Sequence, residues 1–133
     1  MLITPLIAAI CALLYIYLSF AVIQQRLSKG VGLGSGGEPD LEIAIRAHAN
    51  FSEYVPFALI LLWFVETVTY EHNLALILGC SLIIARIAHL IGLRNPENFM
   101  ILRKLGILAT FIVILISAGR IIWHYAPILG LPV

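Results

Sequence analysis

Apolar residues run along this chain in four long stretches separated by short polar segments. The first stretch, from Met1 to about Ile23, holds no charge and is followed by Gln24, Gln25 and Arg26. At about 1.5 Å per residue such a run crosses a hydrocarbon layer about 30 Å thick. It lacks the basic start, short apolar centre and small-residue cleavage site of a signal peptide, so it is read as a retained membrane helix. Residues 27–40 then turn polar and glycine-rich, which predicts a flexible loop outside the membrane. A nucleotide-binding glycine loop would follow a strand and contain Gly-Lys-Ser or Gly-Lys-Thr, and this segment does neither.

Three more apolar segments follow. One is expected from near Leu41 to about Thr69, with its polar residues crowded into the first half and Pro56 as a tolerated kink. The next starts at Asn73 after the turn Tyr70, Glu71, His72 and runs to about Leu93. The last follows Arg94, Asn95, Pro96, Glu97 and Asn98, from about Phe99 to His124. The pattern predicts an all-α, integral membrane four-helix bundle of up-down topology, with helices at about residues 1–25, 41–69, 73–93 and 99–124. One domain over residues 1–133 is expected, without internal repeats. Trp63, Tyr70, Trp123 and Tyr125 fall near helix ends, where an interfacial aromatic belt would place them.

Composition agrees with that pattern. Hydrophobic residues make up 62% of the 133 and charged residues 11%, against roughly 45–50% and about 25% in a soluble domain. The 8 basic and 7 acidic side chains give a formal charge of +1, leaving no excess for a nucleic acid. Cys11 and Cys80 both sit in apolar runs and are read as packing residues, not as a disulfide or a metal site. The first and third connections carry Arg26, Lys29, Arg94, Arg103 and Lys104 in or beside them, whereas the opposite side holds only Arg120. By the positive-inside rule both termini face away from the cytoplasm.

Ionisable groups at membrane depth need a partner or a wet cavity. The second helix carries Arg46, His48, Asn50 and Glu53. Arg46, Asn50 and Glu53 fall at about 0°, about 40° and about 340° around its axis, so they share a stripe that should face protein. Arg86 and His89 share a face of the third helix, and the fourth opens with Arg103 and Lys104. Glu53 is the single carboxylate in this set, so the cluster is net positive and suited to an anionic ligand. The competing reading is structural: an interhelical salt bridge among Arg46, Glu53 and Arg86, a hydrogen-bonded core histidine at His89, and interfacial snorkelling for Arg103 and Lys104. Glu66, Glu71, His72, Arg120 and His124 lie near helix ends and are read as interfacial anchors.

The run Arg46-Ala47-His48-Ala49-Asn50-Phe51-Ser52-Glu53 followed by Pro56-Phe57 resembles the Arg-Ala-His-x-Asn-x-x-Glu signature of the MAPEG family, the membrane-associated proteins in eicosanoid and glutathione metabolism. Arg86-Ile87-Ala88-His89 resembles the Arg-x-x-His of its prostaglandin E synthase branch, so the chain is similar to the microsomal glutathione transferase and prostaglandin E synthase members. The resemblance implies a homotrimer with glutathione between adjacent subunits, held by residues of helices one and two of one chain and three and four of the next. By position, Arg26, Arg46, Asn50, Glu53, Arg86, His89 and Arg103 would line that site. Arg103 corresponds to the thiol-activating arginine, with Arg94 as its rival. The departure is Leu93, where family enzymes commonly have a tyrosine.

The expected function is that of a glutathione-dependent transferase or peroxidase acting on a lipophilic electrophile that arrives from membrane lipid. The alternative is a non-catalytic lipid-binding or scaffold protein of the same fold. A transporter has less support, since one acidic residue at depth offers no evident relay. Without a visible targeting extension, a bacterial inner membrane is the expected location.

Overall fold

The computed structural model describes residues 1–130. Four helices follow one another: α1 (Thr4–Lys29), α2 (Pro39–Val68), α3 (His72–Arg94) and α4 (Pro96–Tyr125), with a short 3-10 turn over Ala126–Leu129. All four are long and apolar enough to cross a membrane. α1 runs past the glutamines to Lys29 and stops at Gly30, whose left-handed φ of 66° lets its N–H reach back to the Arg26 carbonyl. α2 runs on through Pro56. The departure from helical dihedrals lies instead in α4, at Phe99 with φ −127° and ψ 26°.

Like α3, α2 packs against the other three helices. Its buried residues Ala47, Phe51, Val55, Ala58, Leu62 and Val65 recur every three or four positions, which lays one apolar stripe along it. Ile7, Cys11 and Leu18 of α1 and Leu78 and Leu82 of α3 close on that stripe. Cys11 packs in this core as the sequence suggests, while Cys80 points outward, and both are free thiols.

α3 and α4 approach at two glycines. A methyl group added at Gly92 would strike the backbone of Phe99 and Arg103, and one added at Gly106 would strike the backbone of Ala85 and His89. Helices in lipid gain little from apolar burial against each other, so close backbone contact at small residues holds such a pair together.

Where the four helix ends beside the termini meet, Glu66 corrects its reading as an interfacial anchor. It is 0% exposed. Its two carboxylate oxygens accept the backbone N–H groups of Ile3 at 2.5 Å and Thr4 at 2.8 Å, with His72 Nδ1 at 3.2 Å from the first. α1 has no side-chain cap of its own. The first N–H groups of a helix lack intrahelical acceptors and carry its positive end, so a carboxylate from α2 completes the start of α1. Beside it, Glu71 accepts two hydrogen bonds from Arg120, one of them at 2.9 Å. The Arg120 guanidinium holds the Glu71 carboxyl below its ordinary value.

Candidate functional site

The opposite end of the bundle is built differently. Arg46, Ala49, Asn50 and Glu53 of α2, His89 and Leu93 of α3, and Arg103 of α4 line a single cleft of about 320 Å³. That lies within the roughly 300–1,000 Å³ usual for small-molecule sites. Spacing on one helix face puts the three α2 groups together. The Gly92 and Gly106 contacts bring α4 close enough for Arg103 to join them.

His89 is 5% exposed, and its Nδ1 lies 3.0 Å from the backbone carbonyl of Arg103. A carbonyl only accepts, so Nδ1 carries the hydrogen and Nε2 keeps its lone pair in the neutral ring. This bond fixes the turn of α4 that presents Arg103, a few residues beyond the irregular Phe99.

Arg86 does not line the cleft. It is 4% exposed and sits behind Asn50, where Nη2 donates to Asn50 Oδ1 at 2.8 Å. Its Nη1 makes a long contact of 3.5 Å with Thr110 Oγ1, whose own hydroxyl donates to the Gly106 carbonyl at 2.9 Å. The guanidinium lies 5.7 Å from the Phe51 ring centroid, and Nε has no partner among the described residues. A guanidinium has donors only, so Asn50 must turn its oxygen toward Arg86, leaving its NH2 as the donor for the cleft.

The salt bridge weighed as the structural alternative does not form. Arg46 Nε pairs with Glu42, one turn earlier on its own helix, at 2.9 Å. Among the described residues, Glu53, Arg86 and Arg103 make no ion pair at all. Arg46 and Arg103 line the cleft with Glu53 as its one carboxylate, and the buried Arg86 behind Asn50 adds a further positive charge, so with Glu42 offsetting Arg46 the layer as a whole still carries cationic excess. Unpaired charge at membrane depth is costly and marks ligand sites in membrane proteins.

The MAPEG family model matches residues 4–123, almost the whole of this arrangement. The chain belongs to the MAPEG family. Two relatives are 32% identical over 122 residues, covering 92% of this chain and 92% of their own length. Both are called inner membrane protein YecN, one from Escherichia coli K12 and one from E. coli O6:H1. Membership makes this chain an integral membrane protein of the glutathione and eicosanoid metabolism family.

Besides Arg86, two more of the residues singled out by the MAPEG resemblance lie outside the cleft of this chain. Arg26 donates through Nη1 to the carbonyls of Val31 at 3.3 Å and Gly34 at 3.0 Å, so it orders the loop after α1. Arg94 donates to the Tyr17 hydroxyl at 2.9 Å, with its guanidinium 5.4 Å from that ring, and faces α1. Of the rival arginines, Arg103 is therefore the one beside Arg46, Asn50, Glu53 and His89 in a single MAPEG chain. Leu93, in place of the tyrosine, forms part of the cleft wall. His48, inside the signature, points elsewhere: its Nε2 is 3.1 Å from Ser19 Oγ and its ring 4.9 Å from that of Tyr15, tying α2 to α1.

Sequence reading missed Glu42, Thr110 and the two packing glycines. Glu42 stands four residues before Arg46, a spacing at which helix side chains meet, so it was available to pattern reading. Nothing local marks Thr110, which matters only because α4 lies against Arg86.

Proposed function

We propose that this chain is a glutathione-dependent transferase or peroxidase acting on a lipophilic electrophile, and that it works as a homotrimer in a bacterial inner membrane with its termini away from the cytoplasm. The observation that carries the reading is the cleft in which Arg46, Asn50, Glu53, His89 and Arg103 converge with cationic excess. Glutathione has two carboxylates and one ammonium, and the cleft offers guanidinium and amide donors beside one free carboxylate. Arg46 and the NH2 of Asn50 would take carboxylate or carbonyl oxygens, and Glu53 the ammonium. Bound there, glutathione supplies a thiol whose anion is the nucleophile. Arg103 would place positive charge beside the sulfur, which favours thiolate over thiol. The apolar flanks of the cleft would admit the second substrate from the bilayer.

Calorimetry with glutathione and its diethyl ester tests the charge argument: the acid should bind at least about tenfold more tightly, a difference of about 1.4 kcal/mol. Equal affinities would show that the cations are structural. Mass measurement in mild detergent tests the trimer, and a stable monomer with bound glutathione would rule out a shared site. The second reading, a non-catalytic lipid-binding protein of the same fold, is favoured by Leu93, which gives that wall of the cleft no hydroxyl. Glutathione turnover by the purified protein decides between them.

A further inference from the structure

A second cavity, of about 280 Å³, opens at the same end of the bundle on a different face of α2, between the last turns of α1 and α3. Its rim is polar, formed by Gln24, Gln25, Asp40 and Arg94, and below the rim it turns apolar at Leu18, Ile43 and Ala47. Through Leu18 and Ala47 it continues into a shallow groove walled by Leu14, Phe51, Ile87 and Leu90. Charged groups at the helix ends above an apolar groove follow the profile of one bilayer leaflet, head-group level first and hydrocarbon beneath.

The charges at the rim are unusual in being left apart. Asp40 has no ion pair among the described residues, and the one polar side-chain partner of Arg94 among them is the neutral Tyr17 hydroxyl. A cation and a carboxylate that face one cavity without pairing are complementary to a dipolar group carrying both signs. A phosphate suits the forked guanidinium and the carboxamide donors, and a primary ammonium suits a carboxylate because it can donate three hydrogen bonds. A quaternary ammonium has no hydrogen to donate, and a glycerol head group has no cation to offer.

We propose that this groove between α1 and α3 holds one glycerophospholipid with an ethanolamine head group, its phosphate at Arg94, its ammonium at Asp40 and one acyl chain lying along the apolar groove. Arg86 and His89 form the floor of that groove, and His89 also lines the cationic cleft. A lipid chain in place would therefore keep water away from the back of the charged layer, where a low dielectric strengthens its interactions.

Native mass spectrometry of the delipidated full chain, titrated separately with dioleoyl phosphatidylethanolamine, phosphatidylglycerol and phosphatidylcholine, tests the proposal without reference to glutathione. The ethanolamine lipid should be retained at several-fold higher occupancy, one per chain. Asp40→Asn should reduce it to the level of the glycerol lipid, and Arg94→Gln should lower retention of all three. Thermal midpoints of the variants without lipid show whether each still folds. Equal retention of the three lipids, or Asp40→Asn retaining the ethanolamine preference, would overturn the assignment. So would protection of Asp40 from carboxyl labelling in the delipidated oligomer, because a second copy of the chain would then occupy the groove.

Discussion

At the end of the bundle beside the termini, Glu66 is matched by two backbone N–H groups and His72, and Glu71 by Arg120. At the other end, Glu53, Arg86 and Arg103 stand without ionic partners among the described residues. Both ends hold acids and bases on adjacent helices, so composition does not separate them. Pairing does. Charges satisfied inside the chain fix helix positions, whereas charges left unsatisfied retain free energy for an outside ligand.

The comparison breaks most readily at Glu66. Glu66→Ala removes the side-chain acceptors that the described residues give the start of α1 and should destabilise the protein by about 2–4 kcal/mol. Thermal unfolding in detergent reads this, and Glu66→Gln, which keeps one acceptor, should lose less. An unchanged midpoint for Glu66→Ala would mean that this end is not structural in the sense argued.

Arg103→Leu should leave that midpoint nearly unchanged while lowering turnover about ten- to hundredfold, or about 1.4–2.7 kcal/mol of barrier. The bound thiol should also ionise at higher pH, as thiolate absorbance would record. Arg94→Leu is the comparator, since Arg94 faces α1 instead of the cleft. Loss of thiolate in Arg94→Leu but not in Arg103→Leu would reverse their assignment, and loss in neither would end the arginine mechanism.

Asn50→Asp separates support from binding. The new carboxylate would pair with Arg86, so folding should hold or improve, but the cleft would lose an NH2 donor and gain negative charge. Glutathione affinity should fall about tenfold, about 1.4 kcal/mol. Full affinity in this variant would show that Asn50 serves only to hold Arg86.

The smallest effect belongs to Glu71 and Arg120. A carboxyl held below its ordinary value of 4.5 contributes stability that is present above that value and is lost as pH falls through the depressed one. Acid unfolding curves of Glu71→Gln should therefore be flatter below about pH 4.5 than those of the parent. The change should be slight, because the pair is about one-third exposed.

Much of the architecture was legible before any coordinates. Four uncharged or weakly charged runs of twenty or more residues permit little except membrane helices, because backbone groups in hydrocarbon must be satisfied within the segment. The stripe of Arg46, Asn50 and Glu53 follows from helical period alone, and the family signature rests on those same letters. Element ends were less legible: α1 outlasts its polar glutamines because Gly30, not polarity, stops it.

Sequence by itself thus determined the helices, their membrane setting, the family and the cationic character of one end, since period, hydropathy and charge are properties of the chain in order. Only the tertiary structure decided how those charges are paired. It buried Glu66 under the start of α1, turned Arg46 to Glu42, and set Arg86 behind Asn50. It also put Arg103 into the cleft and Arg94 outside it. The physical reason is that pairing depends on which backbones come within a few ångströms of each other, and between α3 and α4 that distance is set by two glycines whose missing side chains leave no mark on a hydropathy pattern.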